Sequence, residues 1–303
     1  MNTHARRTAF TLVELLIVIA IVGLLIAMLL PAIQMTRESA RRIRCLNNEH
    51  QIGIALAGFE VDRRAFPWGG YKHYSAKVNG HTITADEALN IAWSAFILPK
   101  MELDSVYRQL DFKQPITSSP NIDAGQTQLP VFVCPSATRT TPETKRVRTS
   151  RGVEFVAYGL SHYGGMYGER IPWKGRTSKI ENDPPRGTLI YEKQIRISDI
   201  LDGTSCTLIV GEDTHWGDGQ WISSLNVMDQ CGAINDPQIT ENEIRSDHPG
   251  GAQAIFCDGH ATFLANETSL EVLAALCTRA GKEIVADINA ETLPKTSASA
   301  SAR

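Results

Sequence analysis

The stretch FTLVELLIVIAIVGLLIAMLLPAI, residues 10–33, is an almost unbroken apolar run with one carboxylate, Glu14, on its fifth residue. As a helix, these 24 residues reach about 36 Å at ~1.5 Å per residue, enough to cross a bilayer core of about 30 Å. A secretory signal peptide would have a shorter apolar core ending in a small-x-small cleavage site, and Pro31-Ala32-Ile33 lacks that pattern. A plain membrane anchor has no use for Glu14, because an ionised carboxylate near hydrocarbon costs about 2.5 kcal/mol or more. The carboxylate asks for a cationic partner. The best one is an α-amino group made by cutting between Ala9 and Phe10, just after Arg6-Arg7-Thr8-Ala9.

With that junction the chain resembles the type IV prepilin and type II secretion pseudopilin families, whose short basic leader is removed before Phe-Thr-Leu-x-Glu. The resemblance implies a membrane peptidase that cuts and methylates the new terminus. Phe10 is then the mature N-terminus, and Glu14 pairs with the amine of a neighbouring subunit. Pro31 matches the proline that kinks pilin helices by removing a backbone donor. One departure is Ala9, where the family usually has glycine before the cut. Arg6 and Arg7 precede the span, while Arg37, Arg41, Arg42 and Arg44 follow it, so charge counting does not place the N-terminus in the cytoplasm. The resemblance implies an inner-membrane, single-pass protein with its leader inside and its head outside.

A net charge of -3 over the whole chain argues against a nucleic-acid partner. No internal repeat or long linker divides the remainder. The expected organisation is a leader over 1–9, a transmembrane helix over 10–33, an amphipathic spine helix over 34–59, a globular head over 60–289 and a disordered tail over 290–303. The expected fold class is α+β, a long pilin-like helix packed on a mainly antiparallel sheet. Ile52, Leu56 and Phe59 fall at helical spacing, with Met35, Ile43 and Leu46 compatible, and this apolar face is expected to pack on the head.

Further motifs widen the resemblance to pilin-like proteins, common in planctomycete-type bacteria, that carry a prepilin N-terminus and an H-x9-DG motif in a domain of unknown function. The matching pieces include Cys45-Leu46-Asn47-Asn48 with Gln51-Ile52-Gly53, Phe132-Val133-Cys134-Pro135-Ser136, Ile200-Leu201-Asp202-Gly203-Thr204-Ser205, Val210-Gly211-Glu212, and His248-Pro249-Gly250-Gly251 leading to Asp258-Gly259. Cys45 and Cys134 stand at family-matching positions. Among the 15 full pairings open to six cysteines, this pair is the expected disulfide, stapling spine to head.

His248 and Asp258 could be read as a catalytic or metal pair, but Asp258-Gly259 between two short strands reads first as a type I′ hairpin turn. A zinc set of His248, Cys257, His260 and His215 lacks closely spaced ligand pairs. Asp202, Glu212, Asp213 and Asp218 offer oxygen ligands for calcium, without the alternation of an EF-hand loop. No cofactor is therefore expected beyond a weak calcium candidate. No nucleophile elbow, His-Glu-x-x-His or P-loop is present, so no enzyme is expected. A late helix is expected from a Thr268–Glu271 capping box to Gly281, and Arg139 to Arg151 as a solvated basic loop.

The expected function is a pilin-like or pseudopilin structural subunit of a type IV pilus-like or type II secretion filament. Its implied partners are a prepilin peptidase, other pilin-like subunits, an assembly platform and the membrane. A membrane-anchored extracytoplasmic binding protein is the alternative, using Trp68, Trp93, Trp173, Trp216 or Trp221. A tethered metal-dependent hydrolase using His248 and Asp258 ranks last.

Overall fold

A computed structural model of the chain describes residues 12–78, 80–149, 152–170, 185–216, 219–238 and 243–281. The Ala9–Phe10 junction, Asp218, Trp173 and the tail from Ala290 lie outside the described residues.

The leading element is one uninterrupted helix, α1 (Leu12–Arg63), of 52 residues with Pro31 inside it. Straight-chain Leu and Met and the absence of Pro after position 31 let it run for about 78 Å at ~1.5 Å per residue. Its first half is apolar on every side and exposed on every side, from Leu12 to Ile33. A helix that is hydrophobic all round needs an apolar surrounding, and here that is lipid.

Its second half is one-sided. The buried residues are Cys45, Glu49, Ile52, Gly53, Ala55, Leu56 and Phe59. Ile52, Leu56 and Phe59 pack into the core, whereas Met35 and Ile43 stay exposed. The inward stripe reaches toward the membrane through Glu38 and Cys45 instead, at positions that apolar periodicity reads as outward.

The head carries short strands β1 (Gly70–Tyr71), β2 (Lys77–Val78), β3 (His81–Thr82) and β4 (Ile91–Ala92), then helices α2 (Trp93–Ile97), α3 (Asp104–Tyr107) and α4 (Ser119–Gly125). Strands β5 (Lys145–Thr149) and β6 (Gly152–Val156) follow and pair as an antiparallel ribbon. The basic stretch is thus partly a strand, because Val147 and then Val153 and Phe155 alternate with polar residues at period two. The main sheet is built from β7 (Tyr163–Glu169), β8 (Leu208–Glu212), β9 (Val227–Gln230), β10 (Gly251–Phe256) and β11 (Ala261–Ala265), in the order β11-β10-β8-β7-β9. Every pairing in it is antiparallel except β7 with β9. Helix α5 (Leu270–Leu276) closes the described fold.

Strand β10 is buried along its whole length and divides two cores by the alternation of a pleat. Ala252, Ala254 and Phe256 join the core that contains Leu273 and Leu276 of α5. Ile255 joins the core that contains Ile52, Leu56 and Phe59 of α1. The fold is therefore α+β in three layers, α1 on the sheet on α5.

Two local expectations are corrected. Helix α5 is capped by Ser269, whose hydroxyl accepts the Val272 N–H, rather than by Thr268. The Thr268 hydroxyl instead donates to the Ala265 carbonyl at 2.7 Å. The β10–β11 connection is a three-residue loop and not a type I′ turn. Gly259 has φ 90° while Asp258 keeps negative φ, the Gly259 N–H donates to Phe256 O at 2.9 Å, and Phe256 N–H donates to His260 O at 2.9 Å. That is a type I turn followed by a left-handed glycine, which asks positive φ of one residue instead of two.

The same turn explains Gly53. A Cβ placed there would lie 2.5 Å from the Gly259 carbonyl oxygen, so the missing side chain lets the turn rest on the helix backbone. Gly53→Ala is expected to destabilise the full chain by about 1–3 kcal/mol in denaturant unfolding, overpacking outweighing the ~1 kcal/mol of helix propensity gained. Gly58→Ala, whose Cβ would meet only the flexible Lys100 side chain at 3.4 Å, is the matched control, expected neutral or stabilising.

His73 stacks on Tyr191 at 3.9 Å between ring centroids, and its Nδ1 lies 2.8 Å from Ser224 Oγ. Burial holds its pKa down from 6.5 to about 4. Between those values the unfolded chain binds a proton that the folded one does not, so stability falls as pH drops through this window. His73→Gln should flatten that part of the denaturant midpoint against pH. An unchanged slope would show that His73 does not carry it.

Candidate functional site

Where α1 enters the head, four side chains from four elements converge. Cys45 comes from α1, Cys134 follows the tight turn Pro130–Phe132, Glu212 ends β8, and His248 lies in the loop before β10. One ligand-type atom of each lies within 4.8 Å of all the others, and all four residues are buried. Cys45 Sγ donates to Glu212 Oε1 at 3.3 Å, Cys134 Sγ lies 3.4 Å from His248 Nε2, and His248 Nε2 is 3.7 Å from Glu212 Oε1. Cys45 and Cys134 meet as two thiols and not as a disulfide.

A second layer holds these four in place. His248 Nδ1 is 2.6 Å from Glu38 Oε1, one helical face up from Cys45. Glu38 also accepts from Arg41 at 2.6 Å and from the Ser136 hydroxyl at 3.0 Å. The Gln253 N–H on β10 donates to Glu212 Oε2 at 3.1 Å, and the Gln253 side chain donates to the Arg42 carbonyl at 3.0 Å. Tyr163 OH shares a hydrogen bond with Cys45 Sγ at 3.0 Å. His162 Nδ1 accepts the Cys134 N–H at 3.1 Å. Glu49, one turn after Cys45 on the same face, is wholly buried, and neither of its carboxylate oxygens has a hydrogen-bond partner.

The electrostatics follow from crowding. Burial drives Glu49 and Glu212 well above the usual carboxylate range, and the Cys134 charge pushes both further. Cys134 is drawn down to about 4, first by its hydrogen bond with Cys45, while Cys45 is pushed up by the same bond and by burial. Burial disfavours charge on His248, but contacts with Cys134, Glu212 and Glu38 outweigh it and raise the imidazole to about 9. The arrangement favours negative charge on Cys134 and positive charge on His248.

The residues singled out from sequence divide sharply. His248, Glu212, Cys45 and Cys134 come together. Asp258 does not join His248: six residues of β10, roughly 20 Å of strand, separate them. Asp258 Oδ1 instead accepts the His260 N–H at 3.1 Å, beside Gly259 in the turn. The zinc set of His248, Cys257, His260 and His215 is not assembled either. His260 stacks on Phe256 at 4.4 Å, and His215 Nε2 lies 2.9 Å from Asp247 at the surface. Of the calcium candidates, Asp213 Oδ1 accepts the N–H groups of His215 and Trp216 at 3.0 and 3.1 Å, and Asp202 Oδ2 accepts the Gly281 N–H at 2.7 Å. Among the described residues, Asp202 and Asp213 join no group of metal-type ligands. Glu14 lies in the first turn of α1, exposed in the apolar half.

Sequence reasoning missed Glu38 and Glu49. Their signal was present in the spacing, since 38, 42, 45, 49, 52, 56 and 59 keep one helical face.

Comparison with known proteins gives two matches. Residues 4–30 match the prokaryotic N-terminal methylation motif. Residues 34–228, more than half of the chain, match the family described as protein of unknown function (DUF1559). No curated protein and no solved structure matches the chain. The apolar, all-round exposed half of α1 and the methylation motif together are those of a membrane-anchored, single-pass prepilin-like protein. The chain belongs to the DUF1559 family and carries a prepilin-type N-terminus.

Proposed function

We propose that the chain is cut between Ala9 and Phe10 by a prepilin peptidase and assembles through its N-terminal helix into a type IV pilus-like or type II secretion pseudopilus filament. The observation that carries this reading is the methylation motif over 4–30 overlapping a half-helix whose side chains are apolar and exposed from Leu12 to Ile33, with Glu14 as its acidic residue. The new amine of Phe10 on one subunit and Glu14 of a neighbour attract strongly through a low dielectric. Each subunit then has a donor end and an acceptor end, a head-to-tail contact that does not close and so grows as a helix. The leader faces the cytoplasm and the head lies outside, with a motor and platform supplying the work. The role is mechanical rather than catalytic.

One observation favours a second reading, a membrane-anchored binding protein for surface polymer or exported substrate. Trp68, Tyr71, Phe96, Tyr107 and Phe112 line a cleft of about 600 Å³ beside Asp62, Arg63 and Gln194. Trp68 is half-buried there, its ring 4.9 Å from Tyr71 and 5.5 Å from Phe96. Such a face suits flat sugar rings.

Co-expression with the cognate peptidase, followed by mass spectrometry of the mature N-terminus, tests the first reading. An N-methylated Phe10 start is expected, with Glu14→Ala cleaved normally but lost from filaments. An intact Met1 start would make residues 10–33 a permanent anchor and turn attention to the aromatic cleft.

A further inference from the structure

The cluster where α1 meets the head is built like a closed metal centre. We propose that Cys45, Cys134, Glu212 and His248 bind one Zn²⁺ ion that fastens the helix to the head.

The donor set comes first. Two thiols, an imidazole and a carboxylate are the ligand types zinc takes in four-coordinate structural sites. Hard cations such as Ca²⁺ want six or more oxygens, and only one carboxylate stands among these four.

Geometry is the second ground. Zinc bonds of about 2.0–2.3 Å put tetrahedral ligand atoms roughly 3.3 to 3.8 Å apart. The separations here are 3.3 Å from Cys45 Sγ to Glu212 Oε1, 3.4 Å from Cys134 Sγ to His248 Nε2, and 3.7 Å from His248 Nε2 to Glu212 Oε1. All pairs fall within 4.8 Å, so a central ion needs only small side-chain adjustments.

The supporting contacts make the third. Glu38 takes His248 Nδ1 at 2.6 Å, which leaves Nε2 directed at the other three ligands. A carboxylate behind a ligating histidine fixes its tautomer and raises its basicity. Gln253 N–H occupies Glu212 Oε2, leaving Oε1 for the ion. Tyr163 OH stands 3.0 Å from Cys45 Sγ, able to donate to a bound thiolate.

An independent sign is Glu49. Its buried carboxylate has no hydrogen-bond partner, it projects from the same helical face one turn past Cys45, and it lies within the electrostatic reach of Glu212 and Cys134. A buried carboxyl group left unsatisfied costs free energy, and it marks a site whose polar groups the protein alone does not complete. On loading, the protons carried by the four ligands pass to solvent, His248 and Glu212 included, so that the ion is bound by two thiolates, a neutral imidazole and a carboxylate. Nothing is oxidised or reduced. With four protein ligands the ion has no open position, so its role is to hold α1 and not to turn over substrate.

The test uses untagged full-length chain purified in detergent without chelators, with zinc measured by plasma mass spectrometry. About one zinc per chain is expected, with Co²⁺ replacing it to give a thiolate-to-cobalt charge-transfer band. Cys45→Ser, Cys134→Ser and His248→Ala should each fall below about a tenth of an ion per chain, whereas His248→Cys, which restores a ligand, and Cys206→Ser should keep it. Because a ligand variant can misfold, the wild-type reading decides. Wild type with less than about a tenth of an ion, and no cobalt band after reduction and metal addition, overturns the proposal. A chain isolated two hydrogens lighter, with Cys45 joined to Cys134, overturns it equally, since a disulfide removes both sulfur ligands.

Discussion

The contact between Glu38 and His248 marks the place where one helix changes surroundings. From Leu12 to Ile33, shortly before it, α1 presents an almost wholly apolar surface, and from Cys45 onward one face of the helix is sealed by the head. A charged hydrogen bond at 2.6 Å, supported by Arg41 and Ser136, sits at that boundary. His248 is buried and Glu38 only partly so, and losing one partner costs less than the roughly 3–5 kcal/mol typical of a fully buried pair. The junction thus commits the head to one height along the helix, and with it the length of helix left for lipid.

The H-x9-DG motif becomes intelligible as a ruler laid against this helix. Its His end touches Glu38, its middle reaches Arg42 through Gln253, and its Gly end rests on Gly53. From Glu38 to Gly53 the helix rises about 22 Å, close to the roughly 20 Å that the six residues of β10 span. The strand therefore runs alongside α1 in the same direction, with a polar contact at one end and bare backbone at the other. Because β10 is also the wall between the two cores, whatever positions it on α1 positions the whole sheet.

Much of this was legible in the chain, and what was not has physical causes. The transmembrane half, the α+β class and the spine positions Ile52, Leu56 and Phe59 follow from hydrophobicity and its period, which is a strong signal over long segments. The polar half of the inward stripe did not, because Glu38 is held by Ser136 and His248, both distant in the chain, Glu49 is covered by the head, and periodicity scores a glutamate as outward. Met35 and Ile43 were misplaced for the same reason in reverse: they lie off the face that β10 covers. The type I′ turn expected at Asp258-Gly259 failed on a local count, since a three-residue loop beginning at Cys257 lets Gly259 alone take positive φ. Cys45 and Cys134 were brought together through family-matching positions, but Glu212 and His248 joined them only in three dimensions.

A polar junction is a costly way to join a helix to a sheet, and an apolar seam of similar area would hold at least as tightly. What an apolar seam does not supply is a unique register. Leucine-like side chains at helical spacing meet an equivalent neighbour after a shift of one turn, so such a helix can slip by about 5.4 Å and still bury its face. Glu38, Cys45 and Glu49 have no equivalents one turn away: the positions four before them are Gln34, Arg41 and Cys45. A slip of one turn would bring Gln34 to the place of Glu38 and strand His248 without its carboxylate. A helix whose first half lies in a membrane while its second half carries a head needs that discrimination more than it needs extra area. The buried ionisable groups of the junction are the part of the fold that provides it.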